Sequence, residues 1–283
     1  HWLDEHVQRR LLLLTAEAGF GKTTLLYDWI RHRQQPVAWL SLDGGDNVLS
    51  QIWRYVIAAL HECYPALDSH ALAVLQAPQP REIESVLIAL INAIAAAPND
   101  VLLVLDDYHV IHSDWIHQAL GCLVKHQPPQ MHMVLTTRVD PPWPLAQWRV
   151  RGQLIEIRDH DLLFTADEIG KFLNEVMELD LSAEAVATIQ VRTEGWIAGM
   201  QMAAISARGH KQDGDLGVFL EAFGASFVEV GPCRGGLGLA QPGAEFGIVE
   251  RGQDLALFDV VAQIGVDAPV VVAVDEVGGL HPF

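Results

Sequence analysis

Residues 16–24 read Ala-Glu-Ala-Gly-Phe-Gly-Lys-Thr-Thr, between a short apolar run at 10–15 and a helix-like segment at 22–33. A glycine-rich turn ending in Gly-Lys-Thr between a strand and a helix has a specific physical use. Gly19 and Gly21 let the backbone curl so that the amides of the loop, Ala18 and Phe20 included, converge on phosphate oxygens. The helix that starts at Lys22 adds its positive end. Lys22 is then the residue that reaches β- and γ-phosphates. The Thr23 hydroxyl is a magnesium ligand, and Thr24 a contact to the α-phosphate. Ala16 stands where the pattern opens on glycine and keeps the small size. A chance glycine-rich turn is the plain alternative, and the strand–helix context argues against it.

The surrounding chain supplies the sheet that such a loop needs. Apolar runs at 10–15, 37–42, 101–105, 131–136 and 154–157 read as strands, and 101–105 is apolar throughout, as in the centre of a parallel sheet. Between them, apolar residues at helical spacing mark 22–33 (Leu25, Leu26, Trp29, Ile30), 48–63 (Ile52, Tyr55, Val56, Ala59, Leu60), 81–97 and 113–124. This alternation predicts an α/β fold over 1–160, a P-loop NTPase with a parallel sheet flanked by helices. The pattern changes at Thr165, an N-cap with Glu168 three residues on. Helices at 167–177, 182–192 and 195–207, with no strand between, predict a small all-helical domain over 161–226. From 227 to 283 follows an irregular tail: residues 228–283 hold 10 of the 23 glycines and two basic residues, Arg234 and Arg251.

The run 101–105 ends in Asp106-Asp107. A carboxylate delivered by such a strand joins the magnesium shell, which assigns Asp106 there. Asp107 is then placed to orient or deprotonate an attacking water. Arg138 ends the run 131–137 at the carboxyl edge of the sheet, where it senses the γ-phosphate and stabilises transferring charge; a surface salt bridge is the alternative. His109, His112 and His117 are too loosely spaced for a metal site and are expected to be solvated or capping. Trp29, Trp39 and Trp53 are expected in the core.

Composition narrows the partners. A formal charge of -18, from 18 basic and 36 acidic residues, argues against direct contact with DNA by this segment. It leaves local binding of a small anion by backbone amides open. Cys63, Cys122 and Cys233 have no paired spacing, as in a reducing compartment, and the apolar stretches near 86–97 and 268–274 are too short to span a bilayer. The expected location is cytoplasmic, with no membrane contact. The chain opens on His1 just before a strand-like run and reads as a piece of something longer.

Several stretches in order then carry a resemblance: Ala18 to Thr24, Trp39-Leu40-Ser41-Leu42-Asp43 with Gly45-Asp46-Asn47, Asp106-Asp107-Tyr108-His109, and Thr136-Thr137-Arg138 with Pro141. Arg149-Val150-Arg151-Gly152-Gln153-Leu154, Leu163-Phe164-Thr165 and Glu194-Gly195-Trp196-Ile197-Ala198-Gly199-Met200-Gln201 complete them. Over about residues 8–226 the chain resembles the MalT-like signal-transduction ATPases of the STAND class, the large ATP-binding regulators of the LuxR type. The resemblance implies a slow ATPase used as a switch. ADP holds the resting form, and ATP with a small-molecule or protein inducer permits self-association and promoter activation. It carries the phosphate-loop and acidic roles over to Lys22, Thr23, Asp106, Asp107 and Arg138. It also implies that 195–199 packs near adenine, with Gly195 and Ile197 as contacts, although the class often has Pro where this chain has Ile197.

The rival is a catalytic P-loop ATPase or kinase unrelated to transcription. The family-like register ends after Ser226, where a winged helix is due. A reading-frame break or a gene-fragment junction would end it so; a genuine short β module, with strands near 260–261 and 270–274, is the other account.

Overall fold

The computed structural model describes residues 9–33, 35–65, 83–213, 271–274 and 280–282. Five strands, β1 (Leu11–Thr15), β2 (Val37–Ser41), β3 (Val101–Asp106), β4 (Met131–Thr137) and β5 (Leu154–Arg158), run parallel in the order β5-β1-β4-β3-β2. Successive side chains of a strand point to opposite faces. Leu11, Leu13, Leu103, Leu105, Met133 and Leu135 therefore face one side and Leu12, Leu14, Leu102, Val104 and Val134 the other, and every one of them is buried. Burial on both faces is why these runs look continuously apolar and not alternating.

Helices cover both faces. α1 (Lys22–Ile30) lays Leu26, Trp29 and Ile30 on the Leu12–Val104 side. On the other side lie α2 (Leu49–Cys63) with Trp53 and Leu60, α3 (Ile83–Ala95) with Leu90, and α4 (Asp114–His126) with Leu120. Trp29, Trp39 and Trp53 are all buried, as expected of core aromatics. A short helix, α5 (Leu145–Val150), comes before β5 and was not anticipated; six residues are too few for a periodic signal. Its Trp148 and the preceding Trp143 pack in the same core. Gly121 of α4 makes room for Trp143, whose indole atoms lie 3.1 Å from where a Cβ would stand.

From 159 to 213 the chain is helical. α6 (Ala166–Lys171) starts at Thr165, whose hydroxyl accepts from the Glu168 amide while the Glu168 carboxylate accepts from the Thr165 amide at 2.8 Å. The helix expected to run to 177 widens into a π turn at Phe172–Val176, from which Asn174 holds the main chain of Leu181 through both its amide atoms. α7 (Ala183–Thr193) and α8 (Ile197–Asp213) follow. Ile169, Leu173, Leu179, Ile189, Met200 and Ala203 form a third buried cluster among these helices. Among the described residues no helix is long and apolar enough to cross a membrane.

Within the stretch expected to be irregular, two short strands are described. β6 (Val271–Val274) pairs parallel with β2, and β7 (Leu280–Pro282) pairs antiparallel with β6, which makes a seven-stranded sheet. The valine run favours extended backbone. The rest of 227–283 lies outside the described residues.

Candidate functional site

Parallel strands bring their carboxyl ends to one edge, and β4 lies between β1 and β3. That edge therefore gathers Thr15 with the loop after it, Asp106 with Asp107, and Thr136 to Arg138. Gly19 and Gly21 both have φ of 75°, the left-handed region that glycine enters without steric cost. Gly21 is the N-cap of α1 and no side chain caps that helix, so its first amides are turned to the loop. A loop of this geometry holds a phosphate chain. Lys22 is buried, and its Nζ donates to the carbonyls of Ala16 at 2.8 Å and Glu17 at 3.0 Å. Burial lowers its pKa, Arg138 lowers it further, and the Asp107 and Asp106 carboxylates oppose this.

The two halves of the site meet at Thr23 and Asp106. The Thr23 hydroxyl lies 3.2 Å from Oδ1 and 3.0 Å from Oδ2 of Asp106. Thr136, one strand over, also donates its hydroxyl to Asp106 and accepts the Asp107 amide at 2.9 Å. Asp106 is 4% exposed, and burial pushes its carboxyl up to about 6, the neighbouring Asp107 adding to the rise. Its hydrogen bonds from Thr136 and Thr23 work the other way. A hydroxyl and a hard carboxylate in contact beside a phosphate cradle form an oxygen donor set suited to magnesium. A divalent cation would supply the charge that this buried carboxylate lacks.

Asp107 takes a left-handed conformation, φ 57° and ψ 37°, which turns the chain out of β3 into a 3-10 turn at Tyr108–Val110. Its side chain is half-exposed and lies 3.6 Å from His109 Nδ1. Arg138 is exposed and makes no hydrogen bond or ion pair to another described residue. The segment before it is pinned from β5: Arg158 pairs with Asp140 at 2.5 Å and with Glu156.

The 195–199 segment lies against the phosphate loop itself. The Ala198 amide donates to the Gly19 carbonyl at 3.2 Å, Ile197 packs 3.5 Å from where a Gly21 Cβ would be, and the Trp196 and Phe20 rings are 6.4 Å apart. Thr24 sits on the first turn of α1, and Ala18 is exposed beside Gly19.

The histidines divide. His112 is exposed, as expected; His109 and His117 are half-buried and partnered: His109 is folded against Asp107, and His117 Nδ1 hydrogen-bonds with the hydroxyl of buried Tyr108 at 2.7 Å. Burial lowers the pKa of both. The described residues hold no group of His, Cys, Asp and Glu fit for a metal ion of its own. Asn47 is a residue whose role sequence alone did not give. Its side chain donates to the carbonyls of Gly44 at 3.1 Å and Val110 at 3.0 Å, and it accepts the amides of His112 at 2.6 Å and Ser113 at 3.2 Å. It thereby ties the loop after β2 to the loop that follows the acidic pair.

Strand order, loop conformation and the Thr23–Asp106 contact define a P-loop fold equipped for a phosphate chain and a divalent cation. By sequence the region is MalT-like. The HTH-type transcriptional regulator MalT of Klebsiella pneumoniae is 34% identical over 199 residues, 70% of this chain and 22% of that protein. Its namesake in Cronobacter sakazakii is 33% identical over the same shares. The chain thus spans about a fifth of the length of the curated relatives it matches. No family model matches it. Among solved structures, the RuvB Holliday junction branch migration motor of Thermotoga maritima has 15% identity and a TM-score of 0.42, over 81% of this chain and 63% of its own. Cdc6p from Pyrobaculum aerophilum has 15% identity and a TM-score of 0.45, over 75% and 60%. Likenesses this distant add nothing to the strand order.

Proposed function

We propose that this chain is the ATP-binding switch region of a MalT-like transcriptional regulator of the LuxR type and STAND class, with residues 1–160 as its nucleotide-binding domain and 161–226 as a helical domain. The observation that carries the reading is the Thr23–Asp106 contact, which joins the phosphate loop to the acidic strand. Main-chain amides of the loop from Ala18 to Thr24 and the start of α1 hold the phosphates. Lys22 exchanges its loop carbonyls for the β- and γ-phosphates. Thr23 and Asp106 hold magnesium, which spreads the developing negative charge. Asp107 orients the attacking water and takes its proton. Arg138, exposed at the end of β4, senses the γ-phosphate. Gly195 and Ile197 contact the base from the helical side, and the packing of Ala198 and Trp196 against Gly19 and of Ile197 against Gly21 makes the phosphate loop and α8 one mechanical unit.

Turnover is slow and serves to reset the switch: ADP holds the resting form, and ATP with an inducer permits self-association in the cytoplasm. Promoter DNA is contacted by parts of the regulator outside this acidic chain. A switch requires contacts that differ between its two nucleotide states. The 195–199 segment is expected to exchange its amide hydrogens differently with ADP and with ATP; identical protection would remove the lid role. Calorimetry with magnesium should show binding of both nucleotides. Lys22→Ala should weaken ATP binding about 10- to 100-fold, as loss of a charged hydrogen bond does. Equal affinity of the two proteins would overturn the assignment.

A further inference from the structure

Away from the phosphate loop, a cleft of about 440 Å³ opens between α4 and the segment 142–148. That volume is in the range of small-molecule sites. One wall is a single face of α4, and the other is made by Pro142, Trp143, Pro144 and Trp148. The two indoles are buried, with ring centroids 5.8 Å apart. Trp143 is locked in place: its Nε1 donates to the His117 carbonyl at 2.8 Å, and its ring fills the space that Gly121 leaves open. With that N–H already spent, the ring offers only apolar surface. Both prolines are exposed and have a fixed φ, so this wall is set before any ligand arrives.

The two ends of the cleft differ in charge. Asp114, in the first turn of α4, is the one carboxylate on the lining, and Lys125 and His126, in the last turn, make the other end basic. Eleven helical residues put these ends about 16 Å apart. The last turn of a helix ordinarily repels an anion, because its carbonyls are unpaired. Here Arg10 donates to the carbonyls of Val124 at 3.4 Å and Lys125 at 2.5 Å, which offsets that repulsion. His126 Nδ1 donates to the Cys122 carbonyl at 3.0 Å, which leaves Nε2 for an outside partner.

We propose that this cleft binds a small aromatic carboxylate, with its ring against Trp143 and Trp148 and its carboxylate at Lys125 and His126. Ring contact supplies stacking and apolar burial, and the charge fixes the orientation. The occupant is also read at the phosphate loop. Trp143 packs on Tyr108 at 5.3 Å between centroids, and the Tyr108 hydroxyl is bonded to His117. Tyr108 directly follows Asp107, so the cleft and the acidic pair share one buried side chain. This link rests on the reading of the loop as an ATP site; the cleft itself does not.

Titration calorimetry of the full chain with naphthylacetate tests the site. Its Kd should be about 0.1–1 mM, which suits an unoptimised ligand of this size. Neutral naphthylacetamide should bind at least about 5-fold more weakly, and cyclohexylacetate, without the aromatic ring, at least about 3-fold. Lys125→Glu, at an exposed position, should cost naphthylacetate about 10-fold and leave naphthylacetamide within about 2-fold. Cys122→Phe fills the cleft and should abolish binding of both; should that variant not fold, Lys125→Glu decides alone. No binding up to about 10 mM, equal affinity for acid and amide, or parent affinity for the acid in Lys125→Glu overturns the proposal. So does tighter binding of a short peptide ending in phenylalanine, which assigns the cleft to a protein partner. For the link, ATP affinity with magnesium should differ about 5-fold or more between the chain saturated with naphthylacetate and the chain without it, and ATP should change the affinity for the acid by the same factor. Equal ATP affinities overturn the link while the site stands. A chain that binds naphthylacetate but not ATP overturns the ATP reading and the link together, and leaves the site in place.

Discussion

The hydroxyl of Thr23, on the first turn of α1, meets both carboxylate oxygens of Asp106, at the end of a strand that is not even a neighbour of the one feeding the loop. β4 stands between them and contributes Thr136 to the same carboxylate. The pair is thus preassembled, and a cation would enter between two oxygens already in contact.

Thr23→Val should test that directly. The methyl keeps the volume and removes the hydroxyl. ATP affinity with magnesium is expected to drop about 10-fold, toward the value measured with EDTA, as loss of one charge-assisted contact implies. Calorimetry with and without magnesium reads the difference. A variant that keeps the full magnesium effect would remove Thr23 from the cation site.

Asp106 gives the fold a pH dependence of definite sign. Its carboxyl stands at about 6, above the 3.8 of an unburied aspartate. Between these values the folded chain keeps a proton that the unfolded chain has lost, so stability falls as pH rises from about 4 to about 6. At pH 7 the ionised group costs on the order of 3 kcal/mol. Asp106→Asn should therefore be more stable than the parent at pH 7 without magnesium or nucleotide, with the gain gone near pH 4. Denaturant unfolding at the two pH values decides it; a loss of stability at pH 7 would contradict the cost.

Asn47 makes four hydrogen bonds, two as donor and two as acceptor. Asn47→Ala leaves the part-buried Val110 carbonyl and Ser113 amide without this partner, at about 2–3 kcal/mol in all. The midpoint of thermal unfolding should fall by roughly 5–10 °C. A change under about 1 °C would mean that solvent replaces these bonds without cost.

Two glycines give a contrast. At Gly195, φ is +84° and an added Cβ would stand 2.5 Å from the Phe164 carbonyl oxygen, whereas at Gly44 it would meet nothing within 4 Å. Gly195→Ala combines a left-handed penalty with a backbone clash and should cost about 2 kcal/mol or more. Gly44→Ala should stay within about 0.5 kcal/mol. Equal melting temperatures for the two variants would refute the geometry.

Much of this site could be read from residue order because its parts are local. The turn from Ala16 to Thr24, the apolar run into Asp106 and the Thr165–Glu168 cap each depend on residues a few positions apart. What could not be read depends on strand order. Thr136 earns its role only because β4 inserts between β1 and β3, and nothing local marks that position. His109 belonged to a loose set of three histidines until a tight turn folded it onto Asp107. Asn47 looked like one more loop residue; its partners at 110–113 come from the far side of a neighbouring strand's exit. α5 was missed for its length, and the π turn at Phe172–Val176 because a widened turn leaves the apolar spacing nearly helical.

The Ala198 amide and the Gly19 carbonyl are both main-chain atoms. A fastening of that kind uses no side-chain atom, yet Gly19 is not free to vary: its φ is +75° and an added Cβ would stand 2.7 Å from the Ala198 Cβ. The bond's cost is paid in chain entropy, since it closes nearly the whole described chain into one loop. The Ala198–Gly19 bond can form only once the last described helix has arrived. A nascent chain cut short before α8 would therefore carry the full Gly-Lys-Thr sequence without the neighbour that packs on Gly19 and Gly21.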